Sequence, residues 1–398
     1  MHNMRKIKSF LKNKIFYRSL LILFLVPQFA KAQRPGNNII SPEVQPDNSV
    51  IFRLRVANAD SVQVFGSWSS KFGNTITMVK KDSVYEAKLG PLPSGMYEYE
   101  FVINGVHLLD PSNDDVTRDG PWIMNRLMIP GQDADEFDVK DVPHGQVTAV
   151  WYNSPTVGMQ RRMFVYTPPG YETNKKQYPV LYLLHGAGAD EEAWISRGRA
   201  NYLLDNLIAE GKATPMIIVF TNGNVTTPAA PLDRSIDKEK TVTEGVVPMI
   251  SGKFEESFVK DILPYVEKKY RVIADADHRA ISGFSMGGYH TETISNANPT
   301  MFKYIGVMSM GLFSSFGNFN TGYDKDKHVA QLKALIAAQP KVYWIGIGKE
   351  DFLYGTVTKL RSLYDEVGLK YTYVETEGRH DWNSWRLYLS EFAPLCFK

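Results

Sequence analysis

Arg279-Ala280-Ile281-Ser282-Gly283-Phe284-Ser285-Met286-Gly287-Gly288 is the stretch that decides the fold of this chain. Arg279 to Ser282 is a short strand candidate, and a helix is predicted from Gly288 to Ala297. Gly283-Phe284-Ser285-Met286-Gly287 between them fits G-x-S-x-G, and strand–turn–helix is the setting in which that motif presents a nucleophilic serine. The glycines have a physical task. The turn is strained, and side chains beside the serine would collide with the adjoining strand and helix. By itself the pentapeptide also fits an ordinary Gly-rich turn, so the remaining chain has to decide between the two.

A serine hydroxyl is a poor nucleophile until a base takes its proton, and the base needs an acid that fixes its tautomer. In α/β-hydrolases the chain order is Ser, acid, His. Downstream of Ser285, Asp351 ends Gly346-Ile347-Gly348-Lys349-Glu350-Asp351, directly after a long strand candidate; Glu350 is the competing carboxylate. Three histidines follow the turn. His290 lies in the predicted helix and His328 precedes the acid, which leaves His380 in Glu377-Gly378-Arg379-His380-Asp381-Trp382 as the candidate base. An oxyanion needs two N–H donors, one from the residue after the nucleophile and one from a loop after an earlier strand. These are assigned to Met286 and to Ala187 in His185-Gly186-Ala187-Gly188-Ala189-Asp190.

The surrounding pattern supports a three-layer α/β domain over 146–398. Val180–Leu184, Met216–Phe220 and Tyr343–Ile347 are continuous apolar runs, as strands buried on both faces require. Helical patterns alternate with them at Arg199–Glu210, Phe254–Lys269, Val329–Ala338 and Thr356–Val367, which predicts a parallel sheet. The front of the chain reads differently. Ile51–Val56, Ser61–Phe65, Val84–Leu89 and Tyr97–Ile103 alternate as half-buried strands, with turn signals at Gly90–Gly95 and Asn104-Gly105. Short strands without helices between them predict a small all-β sandwich over 40–130, after a flexible lead-in at 33–49. The polar, acidic stretch 131–145 is the expected linker.

Residues 1–32 read as a signal peptide: a basic start, the apolar run Leu20–Val26, and Ala30-Lys31-Ala32 as the cleavage pattern. Seven apolar residues are too few to span a bilayer, which needs about 20. The mature protein is therefore expected to be secreted, with no membrane span after cleavage. The net charge of +2 includes seven positives in residues 1–32, so the remainder carries −5, which gives no footprint for nucleic acid. The single cysteine, Cys396, excludes an intramolecular disulfide framework and is expected to be a buried apolar residue.

From about 145 to 398 the chain resembles carbohydrate esterase family 1, the esterase D-like feruloyl and acetylxylan esterases. The matching segments are Tyr182–Gly188, Gly198–Asn201, Asp205–Lys212, Ser282–Gly288, Gly378–Trp382 and Trp385-Arg386. Val62–Trp68, Leu89–Tyr99 and Asp110-Pro111 resemble an immunoglobulin-like module of the family 48 carbohydrate-binding type. The resemblance implies an α/β-hydrolase domain preceded by an immunoglobulin-like sandwich, and a serine esterase with Ser285 as nucleophile, His380 as base and Asp351 rather than Glu350 as acid. It implies no metal and no organic cofactor. The implied partner is a feruloylated or acetylated xylan-type polysaccharide or oligosaccharide, with feruloyl ester as the first expectation. An acetylxylan esterase, an enterochelin esterase-like hydrolase and an inactive glycan-binding protein are the alternatives. Arg379 stands where the family often has glycine, and Tyr289-His290 where it has smaller residues; both bear on pocket shape.

Three further residues are substrate-binding candidates. Trp382 lies in the aromatic-rich segment after His380, where Trp385 is read instead as packing the C-terminal helix. Arg118 and Trp122 belong to Asp110–Trp122, read as a long loop without a strand pattern and expected to cover the substrate entrance. Trp68 has two readings, a sugar platform and a packing residue of the sandwich.

Overall fold

Alternating side chains build the front of the chain, as period-two burial demands. The computed structural model describes residues 39–68, 75–230, 248–313, 315–316, 319–320 and 322–398; the expected signal peptide lies outside them. The first sheet orders β1 (Glu43–Val44), β2 (Val50–Leu54), β6 (Val84–Leu89) and β5 (Val79–Lys81) as β1-β2-β6-β5. The second runs β4-β3-β7-β10-β9, from β4 (Thr75–Thr77), β3 (Val62–Gly66), β7 (Gly95–Ile103), β10 (Trp122–Ile129) and β9 (Val116–Asp119), with β8 (Val106–Leu108) on β7. Phe52, Val64, Tyr99, Phe101 and Ile129 fill the space between them with no exposed surface. Trp68 folds back over Gly66, its ring 5.5 Å from Phe52, so it packs on its own sandwich.

Two expectations for this region are corrected. The flexible lead-in contains β1, whose Glu43 and Val44 pair with Ile51 and Val50. The segment read as a strandless loop carries β9, which forms a hairpin with β10 by pairing Asp119 with Trp122. The final strand therefore starts at Trp122. Exposed, polar β9 buries only Thr117, so it carries no apolar alternation to read.

The expected linker holds a short helix, α1 (Gln132–Asp135), and is bound down afterwards. Phe137 is buried in the core of the second domain, its carbonyl accepting from Arg199 Nε at 2.5 Å. Asn206 Nδ2 donates to the carbonyls of Glu136 and Asp138, each at 3.0 Å.

The second domain is an eight-stranded sheet in the order β11-β12-β14-β13-β15-β16-β19-β20. Its strands are β11 (Gln146–Ser154), β12 (Met159–Thr167), β13 (Val180–Leu184), β14 (Ile217–Thr221), β15 (Arg279–Phe284), β16 (Tyr304–Met308), β19 (Val342–Gly348) and β20 (Thr372–Thr376); β17 (Ser315–Phe316) and β18 (Phe319–Asn320) form a separate ribbon. The sheet is mixed rather than purely parallel. β11 and β12 form an antiparallel hairpin, and β12 joins β14 antiparallel. The helices are α2 (Ala193–Ser196), α3 (Ala200–Ala209), α4 (Lys253–Ser257), α5 (Leu263–Lys269), α6 (Met286–Ala297), α7 (Lys325–Ala337), α8 (Tyr354–Val367) and α9 (Trp382–Phe392). A π-turn at Phe258–Ile262 joins α4 to α5, because Pro264 has no N–H to continue the ordinary ladder. Both sheet faces are covered. Tyr182 and Leu184 point into one apolar cluster, and Leu181 and Leu183 into the other. From β13 the chain runs to β14 on one side and then to β15 on the other. A doubly wound sheet binds ligands outside the carboxyl ends of its strands at such a reversal.

The sandwich and the hydrolase domain share one compact unit, Ser41–Lys398. Charged groups buried between them are paired, as desolvation requires. Arg197 reaches Glu98 at 3.0 Å and Asp119 at 2.9 Å, and Arg386 donates to the carbonyls of Met96 and Arg197.

Candidate active site

The reversal point is occupied by the turn between β15 and α6. Ser285 adopts φ 53 and ψ −120, a conformation costly for a residue with a Cβ. Its N–H donates to Met308 O at 3.0 Å, which ties the turn to β16. The glycines are required by contact: a Cβ on Gly283 would lie 2.6 Å from Gly287 O, and one on Gly287 would lie 2.6 Å from Leu184 O. The start of α6 thereby packs directly on the end of β13.

His380 and Asp351 come from the loops after β20 and β19. These loops interlock because Gly348 has no side chain; a Cβ there would sit 1.9 Å from Gly378 O. Lys349 N–H donates to Thr376 O at 2.8 Å and Glu350 N–H to Gly378 O at 3.1 Å. His380 Nε2 is 3.0 Å from Ser285 Oγ, and His380 Nδ1 is 2.9 Å from Asp351 Oδ2. The Asp351 side chain is fully buried and accepts from Leu353 N–H at 2.8 Å. Glu350 is 63% exposed and faces Arg379 instead, so geometry separates the two carboxylates. The imidazole lies between Phe352, 4.4 Å between ring centres, and Trp385, 5.1 Å and edge-on. This arrangement can move a proton from the hydroxyl to the ring and hold the resulting imidazolium against a carboxylate.

The loop after β13 borders the same point. His185 anchors it: its Nε2 accepts from Gly223 N–H at 2.9 Å, and its Nδ1–H donates to Gly186 O at 2.8 Å. Burial lowers the His185 pKa and keeps the ring neutral in that tautomer. Ala187, next in the chain, is exposed, and Met286 opens α6, where the first-turn N–H groups have no helical acceptor.

The three substrate-binding candidates separate. Trp382 is buried at 4% exposure, wedged against Trp194, Phe284 and Trp385, and its Nε1–H donates to Asp119 Oδ2 at 2.9 Å. A ring so enclosed has no face for substrate, and the expectation is corrected: Trp382 joins the two domains. Arg118 is also corrected. Its guanidinium is spent on Asp190, on Glu192 at 2.6 Å and on the Gly120 carbonyl, which docks β9 on α2. Trp122 is 59% exposed and stands beside the anchored loop, its ring 3.5 Å from where a Gly188 Cβ would be. Trp385 stacks on Phe284 at 3.8 Å. His290 is buried behind the turn, its Nε2–H donating to Met249 O at 3.1 Å, and Tyr289 packs on Phe313.

Sequence reasoning missed Gly120 and Asp119. At Gly120, φ is 57° and a Cβ would lie 1.9 Å from Gly188 O, so the turn of the β9–β10 hairpin rests on the loop that carries Ala187. No local signal marks such a contact. Among the described residues, no group of three or more His, Cys, Asp or Glu side chains stands in a metal-binding arrangement.

Residues 154–394 match the family described as Esterase, which takes in β12 to α9 and every residue of the serine–histidine–aspartate cluster. The chain belongs to the esterase family. This esterase is 29% identical over 372 residues to the endo-1,4-beta-xylanase/feruloyl esterase of Xylanibacter ruminicola, across 92% of this chain and 47% of that protein. It thus spans about half the length of that curated relative. A solved ferulic acid esterase is 28% identical, with a TM-score of 0.52, over 64% of this esterase and 98% of that chain. The enterobactin esterase of Shigella flexneri aligns over 87% of this esterase and 92% of its own chain, with a TM-score of 0.62 and 16% identity. That likeness extends the shared fold beyond the hydrolase domain.

Proposed function

We propose that this esterase is a secreted carboxylic ester hydrolase that removes feruloyl groups from plant cell-wall arabinoxylan. The observation that carries the reading is the 3.0 Å contact between Ser285 Oγ and His380 Nε2, with Asp351 on the opposite ring nitrogen. The choice of acyl group and polysaccharide is supported by the likeness to a xylanase/feruloyl esterase and to a ferulic acid esterase.

In this mechanism Ser285 Oγ attacks the ester carbonyl while its proton passes to His380 Nε2. Asp351 accepts from His380 Nδ1–H, which keeps Nε2 free to act as the base and stabilises the imidazolium. The N–H groups of Ala187 and Met286 receive the oxyanion; removing one such donor costs roughly 10²–10³ in turnover. Protonated His380 then delivers its proton to the departing sugar oxygen. Water, deprotonated by the same ring, attacks the feruloyl-serine ester and restores Ser285. No metal or organic cofactor enters. The sandwich serves as a spacer that braces the oxyanion loop and lends Trp122 to the substrate entrance.

The test is to incubate the protein with feruloylated and acetylated arabinoxylan and to quantify released ferulate and acetate together. Ferulate release that disappears with Ser285→Ala is the expected result. Acetate release with no ferulate would move the assignment to acetylxylan esterase, and release of neither would overturn both.

A further inference from the structure

Beyond the catalytic residues, a cavity of about 250 Å³ lies between α6, α7 and the segment after β16. That is the room of roughly eight bulk waters, which suits one monosaccharide unit. Tyr289, Phe313 and Tyr323 supply aromatic wall, while Glu292, Asn296 and His328 supply polar groups. Ser285, His380, Ala187 and Met286 do not line it. Tyr289 lies one turn beyond Ser285, and Glu292 about 10 Å along the helix axis. The cavity therefore lies along α6 from the nucleophile, with Tyr289 as the lining residue nearest to it in the chain.

The polar groups at the floor, Glu292, Asn296 and His328, are uncharged and unevenly satisfied. Burial pushes the Glu292 carboxyl up to about 8, so it is protonated near neutral pH. Tyr343 O–H donates to Tyr364 Oη at 2.7 Å, and Tyr364 O–H donates to Glu292 Oε1 at 2.6 Å. The acid proton then sits on Oε2, at the end of a chain of hydrogen bonds that polarise one another. Asn296 is 4% exposed, and its Oδ1 has no hydrogen-bond partner among the described residues. Its Nδ2 faces His328 Nε2 at 3.3 Å, and His328 Nδ1 faces Tyr323 Oη at 3.3 Å. Burial holds His328 neutral as well. Residues four apart on a helix share a face, with Cβ atoms roughly 5–6 Å apart. The cavity therefore offers one O–H donor and one carbonyl acceptor a helical turn apart, between aromatic walls and with no net charge at its floor. Asp324 and Lys327 also line the cavity, both exposed at its rim, and their opposite charges sum to zero. A neutral ring with hydroxyls at its edge and C–H groups on its faces satisfies both floor groups and the walls.

We propose that this cavity is a secondary saccharide site, separate from the catalytic centre, which holds one unacylated sugar unit of the polysaccharide through Asn296 Oδ1 and Glu292 Oε2. The choice of a xylan-type sugar rests on the functional reading above; the presence of a neutral sugar site does not.

The test is calorimetric titration of the full chain with unesterified xylotriose, alongside methyl ferulate hydrolysis. Two variants localise binding. Asn296→Ala removes the acceptor, and Thr293→Phe fills the cavity from its partly exposed rim. Wild-type protein should bind xylotriose. Asn296→Ala should weaken binding about tenfold, the cost of one lost hydrogen bond, and Thr293→Phe should abolish it. Methyl ferulate turnover should stay unchanged in both variants, with melting temperatures confirming the fold. Absence of xylotriose binding, or binding that neither variant alters, overturns the proposal. So does ferulate competing for the site, which would make it an acyl pocket. A protein that binds xylotriose in this way but fails to cleave methyl ferulate would refute the feruloyl reading and leave the saccharide site standing.

Discussion

Replacing Gly120 by alanine isolates what the sandwich does for the catalytic centre. The added Cβ would lie 1.9 Å from the Gly188 carbonyl, whereas real Cβ contacts essentially never fall under 3.0 Å, so the two backbones must part by about 1.1 Å. Neither partner is the tip of a flexible side chain, and Gly188 is next to Ala187, whose N–H is assigned to the oxyanion. A displacement of about 1 Å at a catalytic group costs on the order of 10²-fold in rate, so kcat on methyl ferulate should fall by about that factor with KM little changed. Alanine at φ 57° also carries a left-handed backbone cost of about 1–2 kcal/mol. Gly105→Ala supplies the control. Its φ is 83°, and nothing lies within 4 Å of its added Cβ, so it incurs comparable backbone strain without touching the hydrolase domain. Steady-state kinetics and thermal melts on both variants separate the effects. If Gly120→Ala and Gly105→Ala lose stability alike and both keep wild-type kcat, the hairpin does not set the oxyanion loop and the reasoning fails.

Asp351→Asn should lower kcat by about 10³–10⁴ through the wrong His380 tautomer, while Glu350→Gln stays near wild type; the reverse pattern in ester hydrolysis would show that the acid is misassigned. Trp122→Ala should reduce kcat/KM several-fold for small aromatic esters without lowering the melting temperature, because the ring is 59% exposed and contributes little to either core. Glu292 provides a test by pH. Its folded pKa is raised to about 8 from an ordinary 4.5, so its favourable contribution is full below pH 4.5 and is lost as pH rises towards 8, at up to about 1.4 kcal/mol per pH unit. Glu292→Gln, which keeps an acceptor for Tyr364, should therefore gain stability relative to wild type between pH 5 and pH 8.5 in denaturant melts, and a constant difference across that range would refute the buried neutral acid.

How much was legible in advance depends on how local the cause is. The turn at Ser285 was readable because its strain is met within five residues: Gly283 and Gly287 are small for reasons of contact with each other and with β13. Order along the chain then singled out His380. The buried runs of β13, β14 and β19 announced a sheet covered on both faces. The β11–β12 hairpin escaped because an edge strand facing solvent has no such run. Trp382 and Arg118 carry the residue types that bind aromatic or acyl groups, yet each is consumed by a partner far along the chain. Trp382 bonds Asp119 263 residues away, and Arg118 meets Glu192 74 residues away. Residue type sets what a group can bond, and only the packing of two domains decides whether substrate or protein reaches it first. The sequence by itself singled out the candidate nucleophile and its candidate base, and it determined the class of fold and the order of the two domains, because backbone strain and hydrophobic period act between near neighbours. The burial of Asp351 against the exposure of Glu350, the docking of Gly120 on Gly188, and the burial of Glu292 and Asn296 beside one cavity were decided by tertiary structure alone, because desolvation exists only once distant segments have closed around a group.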